Sequence, residues 1–346
     1  MQFPLLTAAA ALPRTCVSNA QLTTQLAEKG VVTSPEWIES RTGIQQRYVC
    51  EADETTFTLA RDAALKALAQ AGISPTQLGV IVVATCTPDL TFPSVAAMVH
   101  GAIGAGPTCA AMDINGACSG FLMALATAKG LLMQGHGTHA LIIGADTFSH
   151  VLDWSDRNTC ILFGDGAGAV IMSREDTSET SSPPVRHARA GGHPGFIPQT
   201  LPRGLLGVSL GTDGTQTTPL QSTGGVATTQ TAGVTTMDGK RVFLHAVRQM
   251  GQTPPLLAEL GLSIHDIDLL IPHQANARII EAAAHHMGLP MSKVVLTVPH
   301  HANTSAASIP LAMAHALGTG HLHTGQTVLL QAFGAGFAWG SAVIRW

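Results

Sequence analysis

AGISPTQLGVIVVATCTP (71–88) decides the fold, because its pattern occurs twice. LGLSIHDIDLLIPHQ (260–274) has the same order of parts: a helix end, a turn and a short apolar run. Farther along, GTHALIIGADTF (137–148) matches GQTVLLQAFGAG (325–336) at nearly the same offset, and GAGAVIM (166–172) resembles WGSAVIR (339–345). The runs VIVVA, ALIIGA, DLLIP and TVLLQA lack the apolar–polar alternation of a strand with one wet face. Strands covered on both faces by helices explain them. Two halves of one alternating α/β topology follow, and the simplest way to cover every face is a duplicated, five-layered α-β-α-β-α sandwich. The halves are expected at 1–172 and 226–346. Between them, 173–225 reads as a Ser/Thr/Pro/Gly-rich bridge, beginning SREDTSETSSPPVRHARAGGHPGF, whose first part is expected to be a mobile surface loop.

Bulk composition narrows the function. The chain has 346 residues, enough for two ordinary domains or one large fused unit; 45% are apolar and only 12% charged, with a net charge of −4. No concentrated basic stripe marks a nucleic-acid or lipid surface. Six cysteines (16, 50, 86, 109, 118 and 160) show no CxxC and no even spacing, so they read as reduced thiols of a cytoplasmic protein. The N-terminal MQFPLLTAAAALP lacks a basic leader and its apolar run is too short for a bilayer; it reads as a buried first strand.

NGACSGFLMAL (115–125) holds the first candidate for chemistry. CAAMDIN reads as a strand, Gly116-Ala117 as a tight turn, and SGFLMALATAKGLLMQG as a helix. Cys118 then stands at a helix N-terminus, where unpaired N–H groups and the dipole favour a thiolate and can also hold an oxyanion. Taken alone, such a cysteine is more often a small buried filler. LLIPHQANARII delivers His273 at the carboxyl edge of a strand, and VVLTVPHHANTSAASIPLAM does the same for Asn303; ligands of α/β sheets gather at that edge.

Distributed motifs then carry a resemblance. TSPEWIESRTGIQQR (33–47), TPDLTFPS (87–94), ACSGF (117–121), DRNTCILFGDGAGA (156–169), PHQANARII (272–280), NTSAAS (303–308) and FGAGFAWGSAVIRW (333–346) run from end to end of the chain. In that order they resemble the beta-ketoacyl-acyl-carrier-protein synthase III family, of the thiolase-like fold; only the bridge, notably 174–205, has no evident counterpart. The resemblance implies a Cys118–His273–Asn303 triad, an acyl-Cys118 intermediate formed from a short acyl-coenzyme A, and a decarboxylating condensation with malonyl-acyl-carrier protein that initiates fatty-acid synthesis. His273 and Asn303 would donate hydrogen bonds to the malonyl thioester, and the backbone N–H groups of Cys118 and Ala335 would form the oxyanion hole. Ala335 replaces a glycine common in the family. For coenzyme A, the resemblance implies that Trp37 and Arg157 sandwich the adenine while Thr33, Arg41, Asn276 and Arg278 line the approach. Spacing adds that Ser34 can cap a helix opened by Pro35, with Trp37 and Arg41 on one face. Phe92 matches a residue that closes the partner's acyl pocket across a homodimer, with Phe148 and Phe333 expected in the lining. No metal or cofactor is implied. His285, His286 and Leu244 stand where lysines commonly receive the acidic carrier protein, leaving Arg278, Arg241 and Lys240 as the basic face.

Other readings compete. GVSLG (207–211) fits a nucleophile elbow at Ser209, but TDGTQTTPLQSTGG cannot supply the helix that motif needs. GDGAGA (164–169) runs into the strand VIMS rather than a helix, so it is not a dinucleotide loop. The HH pairs and HLH lack a coherent zinc spacing. A non-catalytic acyl-binding partner would be expected to lack the triad. A condensing enzyme or acyltransferase of secondary metabolism, using another acceptor or malonyl-coenzyme A, remains the serious alternative.

Overall fold

The computed structural model describes residues 1–176 and 201–346. The nine strands of its two main sheets are β1 (Leu5–Ala11), β2 (Leu78–Ala84), β3 (Ala110–Ile114), β4 (His139–Thr147), β5 (Asp165–Ser173), β6 (Gly204–Thr212), β7 (Leu269–Pro272), β8 (Thr327–Gly334) and β9 (Ala338–Arg345). The first sheet has the order β1-β5-β4-β2-β3 and the second the order β6-β9-β8-β7. In the first, β1/β5 and β5/β4 are antiparallel while β4/β2 and β2/β3 are parallel. The second repeats this, with β6/β9 and β9/β8 antiparallel and β8/β7 parallel. A parallel bridge from Leu270 to Val294 stands where a fifth strand would lie. The duplication read from the sequence is thus a duplication of sheet topology.

The helices that frame the sheets and the site between them include α1 (Pro35–Thr42), α2 (Thr56–Ala71), α3 (Val95–Ile103), α4 (Gly120–Met133), α5 (Gly239–Met250), α6 (Ala277–Met287) and α7 (Ser308–Gly318). Strand periodicity explains the layers. Val80 and Val82 of β2 face inward, joining Ile271, Leu330, Phe121, Leu125, Ile309 and Met313 in a core that contains α4 and α7. Their neighbours Ile81 and Val83 face outward, against Ala60, Ala64 and Leu68 of α2 and Val99 of α3. Behind the second sheet, Leu270, Leu329 and Val343 meet Leu256, Leu257, Ala284 and Met287. Both faces of each run are therefore dry, and each large apolar side chain so buried is worth roughly 1.5–3 kcal/mol.

One expectation needs correction. The stretch 173–225 is not a bridge throughout, because β6 pairs with β9 at the place in the second sheet that β1 holds in the first. The second half therefore begins by Gly204. Glycines at 204, 207 and 211 break the apolar run of GLLGVSLGT and disguise the strand. Ser209 sits within β6, opposite Ser341, and not at a strand-to-helix turn. The surface-loop expectation falls largely on 177–200, outside the described residues. No described helix is long and apolar enough to cross a membrane.

The two halves approach each other very closely at several glycines, Gly144 among them. A Cβ on Gly144 of β4 would lie 2.2 Å from the carbonyl oxygen of Ala306. Glycine there lets the chain entering α7 rest directly on the first sheet.

Candidate active site

Cys118 occupies a tight turn, Ala117–Ser119, between β3 and α4, and is 5% exposed. The Ser119 hydroxyl donates to the Ala338 carbonyl at 2.9 Å, tying this turn to the second sheet. The sulfur faces the end of β8, where a Cβ added to Gly334 would come within 2.6 Å of the Cys118 Cβ and 3.1 Å of its Sγ. Burial pushes the Cys118 thiol up to about 12; the nearby Asp146 carboxylate acts the same way, while the Ser305 hydroxyl and the N–H groups of Cys118 and Ala335 oppose it. A helix N-terminus taken alone favours a resting thiolate. Desolvation outweighs the dipole here, so the resting group is the thiol.

His273 directly follows β7, held by its backbone N–H donating to the Gln331 carbonyl at 2.7 Å. Its ring is 1% exposed, with Nδ1 2.6 Å from the Ser308 hydroxyl. Burial lowers its pKa to about 3, so the imidazole is neutral. Asn303 is 7% exposed and opens the turn that leads into α7. Its Oδ1 accepts the Ser305 backbone N–H at 2.9 Å, which leaves the amide NH2 as the free end. The same turn meets all three candidates: Ser305 faces Cys118, Ser305 N–H holds Asn303, and Ser308 holds His273. Among the described residues, four non-glycines have positive φ, and three of them, Ala117, Ala302 and Ser305, flank these side chains. Such conformations cost about 1–3 kcal/mol each and persist only where the surroundings enforce them.

Sequence reasoning missed what enforces them. Asp146, fully buried at the end of β4, accepts from Ala306 N–H (3.0 Å), Cys86 N–H (2.8 Å), Thr85 Oγ1 (3.1 Å) and Thr87 Oγ1 (3.0 Å). One carboxylate thus ties the 85–87 loop to the 303–308 turn. Its signal was present: an acid interrupts an otherwise apolar strand in ALIIGADTF, and buried acids need partners.

A cavity of about 880 Å³ opens beside the sulfur, walled by Cys118, Ala335, Cys86, Phe148, Phe163 and Val226 among others. Phe148 stacks on Phe163 with ring centres 4.5 Å apart. His273 and Asn303 are not among its walls. Phe333 does not line it either. It is buried on the outer face of the second sheet, 4.8 Å from Phe337 and packed with Ile279 and Ala283. Strand alternation is the reason: Phe333 shares its face with Leu329, and Gly334 turns to Cys118. Phe92 is 83% exposed and stands outside this chain's own cavity.

The candidate coenzyme A residues gather around α1. Ser34 caps it, accepting the Trp37 N–H at 3.1 Å, and Pro35 is its first residue. The Arg157 guanidinium lies 4.3 Å from the Trp37 ring centre and that of Arg41 5.8 Å. Arg157 also donates to the Val32 carbonyl at 2.9 Å. The two members of the expected adenine sandwich therefore lie against each other. Asn276 works as a brace: it caps α6 by accepting the Arg278 N–H at 2.9 Å and donates to the Arg41 carbonyl at 3.2 Å. Arg278 lies over Phe243 at 5.7 Å, and the Thr33 hydroxyl is buried without a hydrogen-bond partner among the described residues. On the adjoining surface, His285 and His286 of α6 and Leu244, Lys240 and Arg241 of α5 are exposed. Among the described residues no group of three or more His, Cys, Asp or Glu is placed to hold a metal ion.

Family models described as 3-oxoacyl-[acyl-carrier-protein (ACP)] synthase III match residues 112–186, and the corresponding C-terminal model matches 257–346. A beta-ketoacyl-[acyl-carrier-protein] synthase III of Rhizorhabdus wittichii is 47% identical over 337 residues, covering 97% of each chain. That of Sphingopyxis alaskensis is 48% identical over 336 residues, covering 97% of this chain and 96% of its own. The chain belongs to the beta-ketoacyl-acyl-carrier-protein synthase III family. The solved 3-oxoacyl-(acyl carrier protein) synthase III of Pseudomonas aeruginosa superposes with a TM-score of 0.86 at 37% identity, covering 100% of this chain and 98% of that one. A priming beta-ketosynthase of a polyketide biosynthetic pathway superposes at 0.83 with 30% identity, covering 99% and 96%. The duplicated five-layered sandwich is the thiolase-like fold of this family.

Proposed function

We propose that the protein condenses a short acyl-coenzyme A with malonyl-acyl-carrier protein, releasing carbon dioxide and coenzyme A and giving a 3-oxoacyl-acyl-carrier protein, the first elongation of type II fatty-acid synthesis. The observation that carries this reading is the 303–308 turn, which meets Cys118, Asn303 and His273 at once. Relatives at 47–48% identity across nearly the whole chain favour it over a secondary-metabolism role.

Cys118 is the nucleophile. Because it rests as a thiol, its proton leaves as sulfur attacks the acyl thioester, and the coenzyme A sulfur takes a proton as it departs; the half-reaction carries no net charge change. Malonyl-carrier protein follows. Loss of carbon dioxide puts the electron pair on its thioester carbonyl as an enolate, which His273 Nε2–H and the Asn303 amide stabilise. A neutral imidazole suits this task, since it donates without needing a second proton. The enolate carbon then attacks acyl-Cys118, the new oxyanion faces the N–H groups of Cys118 and Ala335, and collapse expels the Cys118 sulfur, which takes a proton from solvent to return to the resting thiol. Each such donor is typically worth about 3 kcal/mol of barrier lowering.

Coenzyme A enters past Trp37, Arg157, Arg41, Thr33 and Arg278, and the carrier protein docks on the Lys240, Arg241 and Arg278 side. The working unit is a cytoplasmic homodimer in which the exposed Phe92 of each chain closes the partner's acyl cavity; the reaction uses no metal or cofactor. Labelled acyl-coenzyme A is expected to mark Cys118 in the wild type and nothing in Cys118→Ala. His273→Ala and Asn303→Ala are expected to keep acylation and lose malonyl decarboxylation. Equal loss of both half-reactions in these two variants would overturn the assigned roles.

A further inference from the structure

Resting on that reading, we propose that Ser308 is a positioning residue that holds His273 as its Nε2–H tautomer, the form able to donate to the malonyl thioester. A count of hydrogens leads there. Ser308 Oγ accepts the Gln274 backbone N–H at 3.3 Å and lies 2.6 Å from His273 Nδ1. Among the described residues these are its only hydrogen-bond partners. The hydroxyl hydrogen therefore has one acceptor in reach, His273 Nδ1.

If Nδ1 carried the hydrogen instead, Oγ would receive two donors and its own proton would be buried without an acceptor, at a cost of about 1–3 kcal/mol. Ser308 is 2% exposed and His273 1%, so water does not supply the missing partner from bulk. With Nδ1 accepting, the remaining ring hydrogen is on Nε2, which makes no hydrogen bond to protein among the described residues. Fixing one ring nitrogen decides what the other offers. Burial keeps the ring neutral, so the tautomer choice is the choice between a donor and an acceptor at the reacting carbonyl. Ser308 is the first residue of α7, and the helix packs against the first sheet. The hydroxyl is therefore held by a rigid element.

Two measurements test this. Long-range nitrogen–proton correlation NMR on histidine-labelled wild-type protein, with His273 assigned by its loss in His273→Ala, reads the tautomer directly. The expected result is hydrogen on Nε2 and none on Nδ1; hydrogen on Nδ1 overturns the proposal, whatever the activity. The second uses Ser308→Ala. It is expected to acylate Cys118 at the wild-type rate while malonyl decarboxylation falls roughly tenfold, the worth of about one hydrogen bond. Ser308→Thr, which keeps the hydroxyl, is expected to recover most of that loss. A loss shared equally by both half-reactions marks a merely structural residue and overturns the proposal, as does undiminished decarboxylation in Ser308→Ala. A wild-type protein that releases no carbon dioxide from malonyl-carrier protein sinks the condensation reading instead, and leaves the tautomer to be read by NMR.

Discussion

At position 334 there is room for a hydrogen and for nothing larger. A methyl group in its place would press on the Cys118 Cβ at 2.6 Å, well inside ordinary contact; Gly334 is held in a strand, and the Cys118 turn is tied to the same sheet through Ser119. Gly334→Ala is therefore expected to displace the sulfur from the N–H groups of Cys118 and Ala335, to slow acylation at least tenfold and to cost about 1–3 kcal/mol of stability. Acyl-enzyme formation and denaturant unfolding check the two effects; a variant with normal acylation would show that the tight fit is irrelevant to the chemistry. At this scale the sequence was uneven. The places of Cys118 and His273 were readable because a helix start and a strand end announced them; Asn303, expected at a strand's carboxyl edge, instead follows the short helix Val298–His301. Ser305 was not, since its positive φ sits on a residue that gives no glycine signal. Phe333 was readable and was misplaced: counting in twos from Leu329 puts it on the face away from Gly334.

On the proposed coenzyme A route, helix α1 would let an element's end set affinity. Its first turn carries Trp37, whose N–H is held by the Ser34 hydroxyl, and its last turn carries Arg41, whose carbonyl Asn276 holds from another helix. Removing the cap costs about 1 kcal/mol, concentrated in the turn that bears the indole. Ser34→Ala is expected to raise KM for acyl-coenzyme A about fivefold with kcat at saturation unchanged. A fall in kcat at constant KM would show that α1 serves the chemistry and not the binding of coenzyme A. The cap was legible in TSPEWIESR because Ser, Pro and the following acid fall in the order a helix start requires. Strand β6 was not, because three glycines removed the apolar signal and pairing with β9 alone makes it a strand.

For the molecule as a whole, duplication was the most legible property, since strands dry on both faces are rare outside layered α/β architectures and this chain has two sets of them. What could not be read is the cost of bringing the halves together: polar side chains at their junction are buried regardless of charge. His273 and His301 record that cost. Burial lowers His273 to about 3 and, with His315 and His300 adding like-charge repulsion, His301 to about 4, against an ordinary value of 6.5. A histidine depressed in the folded state binds its proton later than the unfolded chain does. Its contribution is intact above pH 6.5 and is lost as pH falls through the window down to the folded value, at up to about 1.4 kcal/mol per pH unit per group. Asp146 and Asp165, raised by burial, act in the opposite direction, so total acid stability does not isolate the histidines. A difference between variants does. His301 lies outside the reacting groups, and its Nδ1 is buried without a hydrogen-bond partner among the described residues. His301→Gln is therefore expected to lose less stability than the wild type between about pH 6.5 and 5, by about 2 kcal/mol, in denaturant unfolding followed at both pH values. Parallel losses in the two proteins would mean that His301 is protonated in the folded state at about pH 5, and that the junction is wetter than its packing implies.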